Sequence, residues 1–191
     1  MTKNRLEAFS DGVLAILITI MVLELRPPHG TEWSDLARMT PKFLTYVLSF
    51  IFLGIYWNNH HHMVHLATRI NGRVLWANLH LMLWLSFVPF VTAWMGENGF
   101  SCIPTACYGI VLLLAALSYT ILQRTLIAAE GPGSGLKRAI GGDTKGYVSL
   151  ALYAAAIPLA FVRPVIAHAL YVTVALIWFV PDMRIERRLP R

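Results

Sequence analysis

Asn4 to Leu25 reads NRLEAFSDGVLAILITIMVLEL, and how this stretch is parsed decides the fold. From Val13 to Leu23 its only polar residue is Thr19, so the run is too apolar for the surface of a soluble protein. Were Ser10 or Asp11 the N-cap, the helix behind would hold about 14 residues, or about 21 Å, short of a hydrocarbon core of roughly 30 Å. An N-cap at Asn4, with Glu7 three residues on as a variant capping box, predicts about 21 residues and a helix that spans. Phe9, Ser10 and Asp11 then lie inside the helix near one interface. A charge inside a membrane helix costs about 2.5–3.5 kcal/mol on insertion scales, so Asp11 is expected to face a partner or a watery path. Ile16, Ile20 and Leu23 fall at i, i+4 and i+7, with Thr19 at i+3, along one face. Periodicity alone leaves open whether that face meets lipid or protein.

The rest of the chain repeats the pattern. Of 191 residues, 57% are hydrophobic and only 14% charged, which is the composition of an all-α integral membrane protein. The formal charge of +6 does not point to nucleic acid, because the basic residues sit between apolar runs and not on one face. Cys102 and Cys107 have no metal-like or disulfide-framework spacing and are expected to pack. The first stretch ends in Glu24, Leu25, Arg26, Pro27 and Pro28 without a small-residue cleavage pattern, so it is expected to stay.

Further spans are expected over about Lys42–His65, opened by Pro41, and over Val74–Trp94, with a kink at Pro89. The others are Pro104–Ala128, an alanine-rich Tyr147–Val162, and Val165–Val180 after the Arg163-Pro164 turn. The first connection, HGTEWSDLARMT, reads as a polar loop, and the glycine-rich segment of about 130–146 as a flexible linker within a single domain of residues 1–191. Sorted by side, 12 of the 16 Lys and Arg fall with the two termini and 4 on the opposite side. The positive-inside rule then predicts six transmembrane helices with both termini cytoplasmic.

Asp11 and the polar end of the second span, Trp57 to His65, share that side, and a network of Ser10, Asp11 and a histidine would satisfy groups that lipid cannot. His61 and His65 stand at i and i+4, as metal ligands can, while His60 and His62 are expected to point elsewhere. Membrane di-iron enzymes need several separated histidine boxes, and His29, His80 and His168 are scattered singly, so neither a metal nor another cofactor is expected. Thr144-Lys145-Gly146-Tyr147 lacks the second glycine and the preceding pore helix of a carbonyl potassium filter. No phosphate loop and no nucleophile arrangement at a shared depth is present, and no enzyme activity is expected.

Arg5-x-x-x-Phe9-Ser10-Asp11-Gly12, then an Ile/Thr/Met-rich span, Trp57-x-x-x-His61 closing the second span and Asn78 early in the third together resemble the transmembrane protein 175 family of potassium channels. The resemblance implies a prokaryotic single-repeat form in the cell membrane, a homotetramer whose first helix lines a central pore. By position from the FSD motif, Ile16, Ile20 and Leu23 would form a hydrophobic constriction for potassium, with Thr19 as a nearby hydroxyl. The same carry-over joins Arg5, Phe9, Ser10, Asp11, Trp57, His61 and Asn78 in a network that positions the first helix. A proton-coupled secondary transporter using Asp11 and the histidines is the rival reading; it would favour inverted repeats and a helix broken near mid-membrane.

Overall fold

The computed structural model describes residues 2–131, 134–140 and 142–179, and the basic tail with its share of the charge count lies outside them. The decisive stretch forms helix α1, Lys3–Leu23, whose 21 residues make it about 32 Å long at 1.5 Å per residue. It starts earlier than the capping box predicts. Thr2 is the N-cap, in extended backbone, and its carbonyl accepts from Arg5 N at 3.2 Å and Leu6 N at 3.4 Å. Asn4 and Glu7 are therefore interior residues and not a capping pair. The start moves because the first turn is held from outside: the Lys3 ammonium donates to the carbonyl of His65, at the end of the second long helix.

The first connection is not all loop. It contains α2, Trp33–Arg38, where the Asp35 carboxylate accepts from Glu32 N at 3.2 Å and pairs with Arg38 at 3.5 Å. Six residues leave no room for an apolar period, so only the capping chemistry marks this helix. Helix α3, Thr40–Leu66, follows with Pro41 in its first turn, where a missing N–H costs nothing. The third hydrophobic run divides into α4, Gly72–Ser86, and α5, Val88–Glu97. Asn71 caps α4 by accepting from Val74 N at 3.1 Å. The break at Phe87 comes four residues short of Val91 and two before Pro89, whose ring clashes with the carbonyl four residues back and supplies no N–H to it.

Helix α6, Cys102–Glu130, is the longest and ends where Gly131 turns at φ +84°, a conformation that favours glycine. The expected linker carries α7, Gly135–Ile140, anchored by a chain of bonds. Thr68 N donates to Glu130 Oε1 at 3.0 Å, Ser134 Oγ to Glu130 Oε2 at 2.6 Å, and Lys137 N to Ser134 Oγ at 3.1 Å. Helix α8, Thr144–Val162, is capped by Asp143, and α9, Pro164–Phe179, follows after the single residue Arg163. Among the described residues, four segments are long and apolar enough to cross a membrane: α1, the α4–α5 run, α6 and α8.

The core is built around α6, which packs against α4, α5, α8 and α9. Small residues let backbones approach: Ala156, Ala160 and Ala167 are fully buried, and a Cβ placed on Gly109 would come within 2.2 Å of the Tyr171 hydroxyl. Helix α1 lies at the edge, against α3, α4 and α5 only by way of one face.

Candidate pore helix and its polar seat

The face that α1 turns inward is Leu6, Ser10, Leu14, Leu17 and Met21, all buried at spacings of three and four. The other side is open. Ile16 is 57% exposed, Ile20 40% and Leu23 76%, with Thr19 beside them. The Thr19 hydroxyl donates to the Ile16 carbonyl at 2.9 Å, so it lies along the helix and leaves its oxygen lone pairs outward. Arg5, Phe9 and Gly12 continue the same exposed strip toward the amino end. An apolar strip of this extent on an edge helix, with no partner among the described residues, needs lipid or protein to cover it.

What seats α1 is polar, and it joins three helices. Ser10 on α1, His60 on α3 and Asn78 on α4 are all at most 2% exposed. Asn78 Nδ2 donates to Ser10 Oγ at 3.0 Å, and Ser10 Oγ donates to the Leu6 carbonyl at 2.9 Å. Asn78 Oδ1 lies 2.8 Å from His60 Nε2 and, as an acceptor, requires the proton on that nitrogen. Ser10, His60 and Asn78 are each bonded within the cluster, which ties the rotation of α1 about its axis to α3 and α4. A second bond lies nearer the surface: Trp57 Nε1 donates to Asp11 Oδ1 at 3.0 Å. The Trp57 ring stacks on His61 at 6.2 Å between centroids, and His61 stacks on His65 at 5.9 Å.

The structure thus brings Ser10, Asp11, Trp57 and Asn78 together at one end of α1 and places His61 among them only by stacking. Arg5 and Phe9 are exposed, and the Arg5 side chain makes no hydrogen bond or ion pair with the described residues. Sequence reasoning placed His60 off the His61–His65 face, as the structure does, but carried His61 and not His60 into the network. Its signal was present: Ser49, Leu53, Tyr56 and His60 fall at i, i+4, i+7 and i+11, the buried stripe of α3. Glu7, one turn from Ser10, holds Oε1 buried with no hydrogen-bond partner among the described residues. No three His, Cys, Asp or Glu side chains converge as metal ligands among the described residues.

A second polar layer sits deeper. Ser49 Oγ is 2.7 Å from Thr92 Oγ1 and 2.9 Å from the Tyr108 hydroxyl, tying α3, α5 and α6 where lipid could not satisfy them. Both layers hold helices in register without charge.

Similarity to known proteins extends over this whole arrangement. The family model described as endosomal/lysosomal potassium channel TMEM175 matches residues 5–89, which include Ser10, Asp11, Trp57, His60, His61 and Asn78. A protein from Chryseobacterium sp. (strain P1-3) named as a potassium channel is 53% identical over 189 residues, covering 99% of this chain and 98% of that one. Another potassium channel, from Streptomyces collinus, is 34% identical over 63% of this chain and 62% of its own. The crystal structure of a lysosomal potassium-selective channel TMEM175 homolog from Chamaesiphon minutus superposes with a TM-score of 0.80 at 25% identity, covering 93% of this chain and 96% of that one.

Proposed function

The chain belongs to the transmembrane protein 175 family of channels, and from that membership we propose that it conducts potassium through a pore lined by α1 of four identical subunits. The observation that carries this reading is the open apolar strip Ile16–Ile20–Leu23 on a helix seated by a buried polar cluster, in a chain related end to end to a named potassium channel. One helix cannot enclose a path, so the strip is supplied several times around an axis, and a closed cyclic oligomer is the simple solution. Rings of isoleucine and leucine bar ions by dewetting, and potassium, which gives up its water more readily than sodium, passes such a ring more easily. Thr19 adds a hydroxyl lone pair between the apolar rings. The resulting preference for potassium is less strict than that of a carbonyl cage.

The protein is a multi-pass membrane protein. We assign six spans, α3 and α9 being added to the four that meet length and hydropathy on their own. The basic end supports a cytoplasmic amino terminus in a prokaryotic plasma membrane. The Lys3 bond to His65, the Thr68 bond to Glu130 and the 2.9 Å bond from Arg124 to the Tyr147 hydroxyl tie that end together. The far end holds the Lys42–Glu97 pair at 3.0 Å. The test is a bilayer recording of purified protein under asymmetric potassium and sodium. A reversal potential that follows the potassium gradient and permeability ratios altered by Ile16→Asn and Leu23→Ala are expected. Flux that follows the proton gradient would favour coupled transport instead.

A further inference from the structure

Away from α1, the helices α3, α6, α8 and α9 line a partly open cavity of about 40 Å³ near the end where Asp143 caps α8. A water-sized group occupies roughly 10–15 Å³ on this scale, so the space admits about three such groups. Its walls are aromatic: Tyr56, Tyr119, Tyr153 and Trp178 surround it, with Asn59 and Asp143 as polar members. Tyr56 and Tyr119 meet edge to face at 6.1 Å, which fixes both rings.

Several of these polar groups are already committed. The Tyr119 hydroxyl donates to the Asn59 carbonyl at 3.2 Å, and Trp178 Nε1 donates to Ser149 Oγ at 2.8 Å. Asn59 Nδ2 donates to the Ile55 carbonyl at 2.8 Å, and Asp143 Oδ1 accepts from Gly146 N at 3.0 Å. Three groups are left over. The hydroxyls of Tyr56 and Tyr153, residues only 8% and 2% exposed, make no hydrogen bond with the described residues, and Asp143 keeps its second oxygen. Both hydroxyls belong to residues that line the cavity, where a guest or water can reach and bond them.

We propose that this cavity binds a small primary ammonium cation, a function separate from conduction. The leftover groups include a carboxylate and two hydroxyl oxygens, all able to accept, and no lysine or arginine is among the lining residues. An ammonium group brings N–H donors for those oxygens and a positive charge for the surrounding ring faces, which attract cations electrostatically. The space of about 40 Å³ suits a nitrogen with one or two carbons. An alkali ion can take the same oxygens but supplies no N–H donors to fix its orientation, so potassium is the competing occupant to be separated by experiment, and a quaternary ammonium lacks N–H groups altogether.

Titration calorimetry of the purified full chain at constant ionic strength tests this, with methylammonium, potassium and tetramethylammonium chlorides as separate titrants. Saturable methylammonium binding at one site per subunit is expected, with no matching signal from the other two salts. Asp143→Asn keeps the helix cap, because asparagine caps as well as aspartate, and should weaken binding about tenfold or more through loss of a charged acceptor. Tyr153→Phe, which removes only the hydroxyl, should weaken it several-fold. Potassium currents should be unchanged in Asp143→Asn, so a failure here is separable from a failure of the pore. No saturable heat, equal binding of potassium, or methylammonium binding untouched in both variants would overturn the proposal.

Discussion

The block formed by α6, α8 and α9 and the edge formed by α1 solve the same problem in opposite ways. In the block, alanines and Gly109 bring backbones together, and Tyr108, Tyr153 and Tyr171 fill the remaining space with at most 2% of their surface exposed. Tyr171 donates to the Thr105 carbonyl at 3.0 Å, so even its polar end is satisfied within the chain. At the edge, α1 buries one stripe, is oriented by hydrogen bonds through Ser10 and Asp11, and leaves Ile16, Ile20 and Leu23 uncovered. The block finds its inner packing partners within the subunit, whereas the strip on α1 finds none among the described residues and, on the reading proposed above, is covered by further copies of α1. On that reading, separate parts of the molecule carry stability and permeation.

That contrast can be broken most forcefully in the block. Tyr171→Ala removes a fully buried ring and should cost about 3–5 kcal/mol, read as a large fall in the melting temperature of the detergent-purified protein. A melting temperature unchanged by this substitution would mean that the block does not hold the subunit together. Next comes the seat of α1. Asn78→Leu strands His60, left buried at a cost of about 1–3 kcal/mol, and leaves Ser10 only its bond to the Leu6 carbonyl, and should lower thermal stability and shift open probability together. Thermal stability reduced without any change in currents would reduce the cluster to packing.

Smaller still is Asp11→Ala, which removes one half-exposed bond from Trp57, worth about 0.5–1.5 kcal/mol. Weakened tetramers on size-exclusion chromatography or altered opening are expected. Tetramers and currents both like the wild type would show that the Trp57 bond does not orient α1. Smallest in stability is Leu23→Ala, at 76% exposure, where the melting temperature should move by no more than about 0.5 kcal/mol equivalent. There the effect is expected in the potassium-to-sodium permeability ratio instead, and a large stability loss with an unchanged ratio would reverse the assignment of the two regions.

Much of this was readable from residue order. The length of α1 followed from setting the hydrophobic run against membrane thickness, and the breaks at Pro27-Pro28, Pro89 and Arg163-Pro164 followed from a ring that removes an N–H. The strip Ile16–Ile20–Leu23 followed from helical period. These are local properties, fixed by neighbours within a turn or two, and they need no knowledge of what packs where. The short helices α2 and α7 escaped because six residues hold too little pattern to stand above their polar surroundings.

The partners of the polar groups were decided by the tertiary structure. Asn71-Gly72 begins α4 so that Asn78 arrives at the level of Ser10, and the rotation of α3 then presents His60 to it and leaves His61 to stack on Trp57. Residue order supplies four adjacent or near-adjacent histidines with equal chemistry, at 60, 61, 62 and 65. Adjacent positions on a helix point about 100° apart, so the choice among them depends on where two other helices stand, which no local preference encodes.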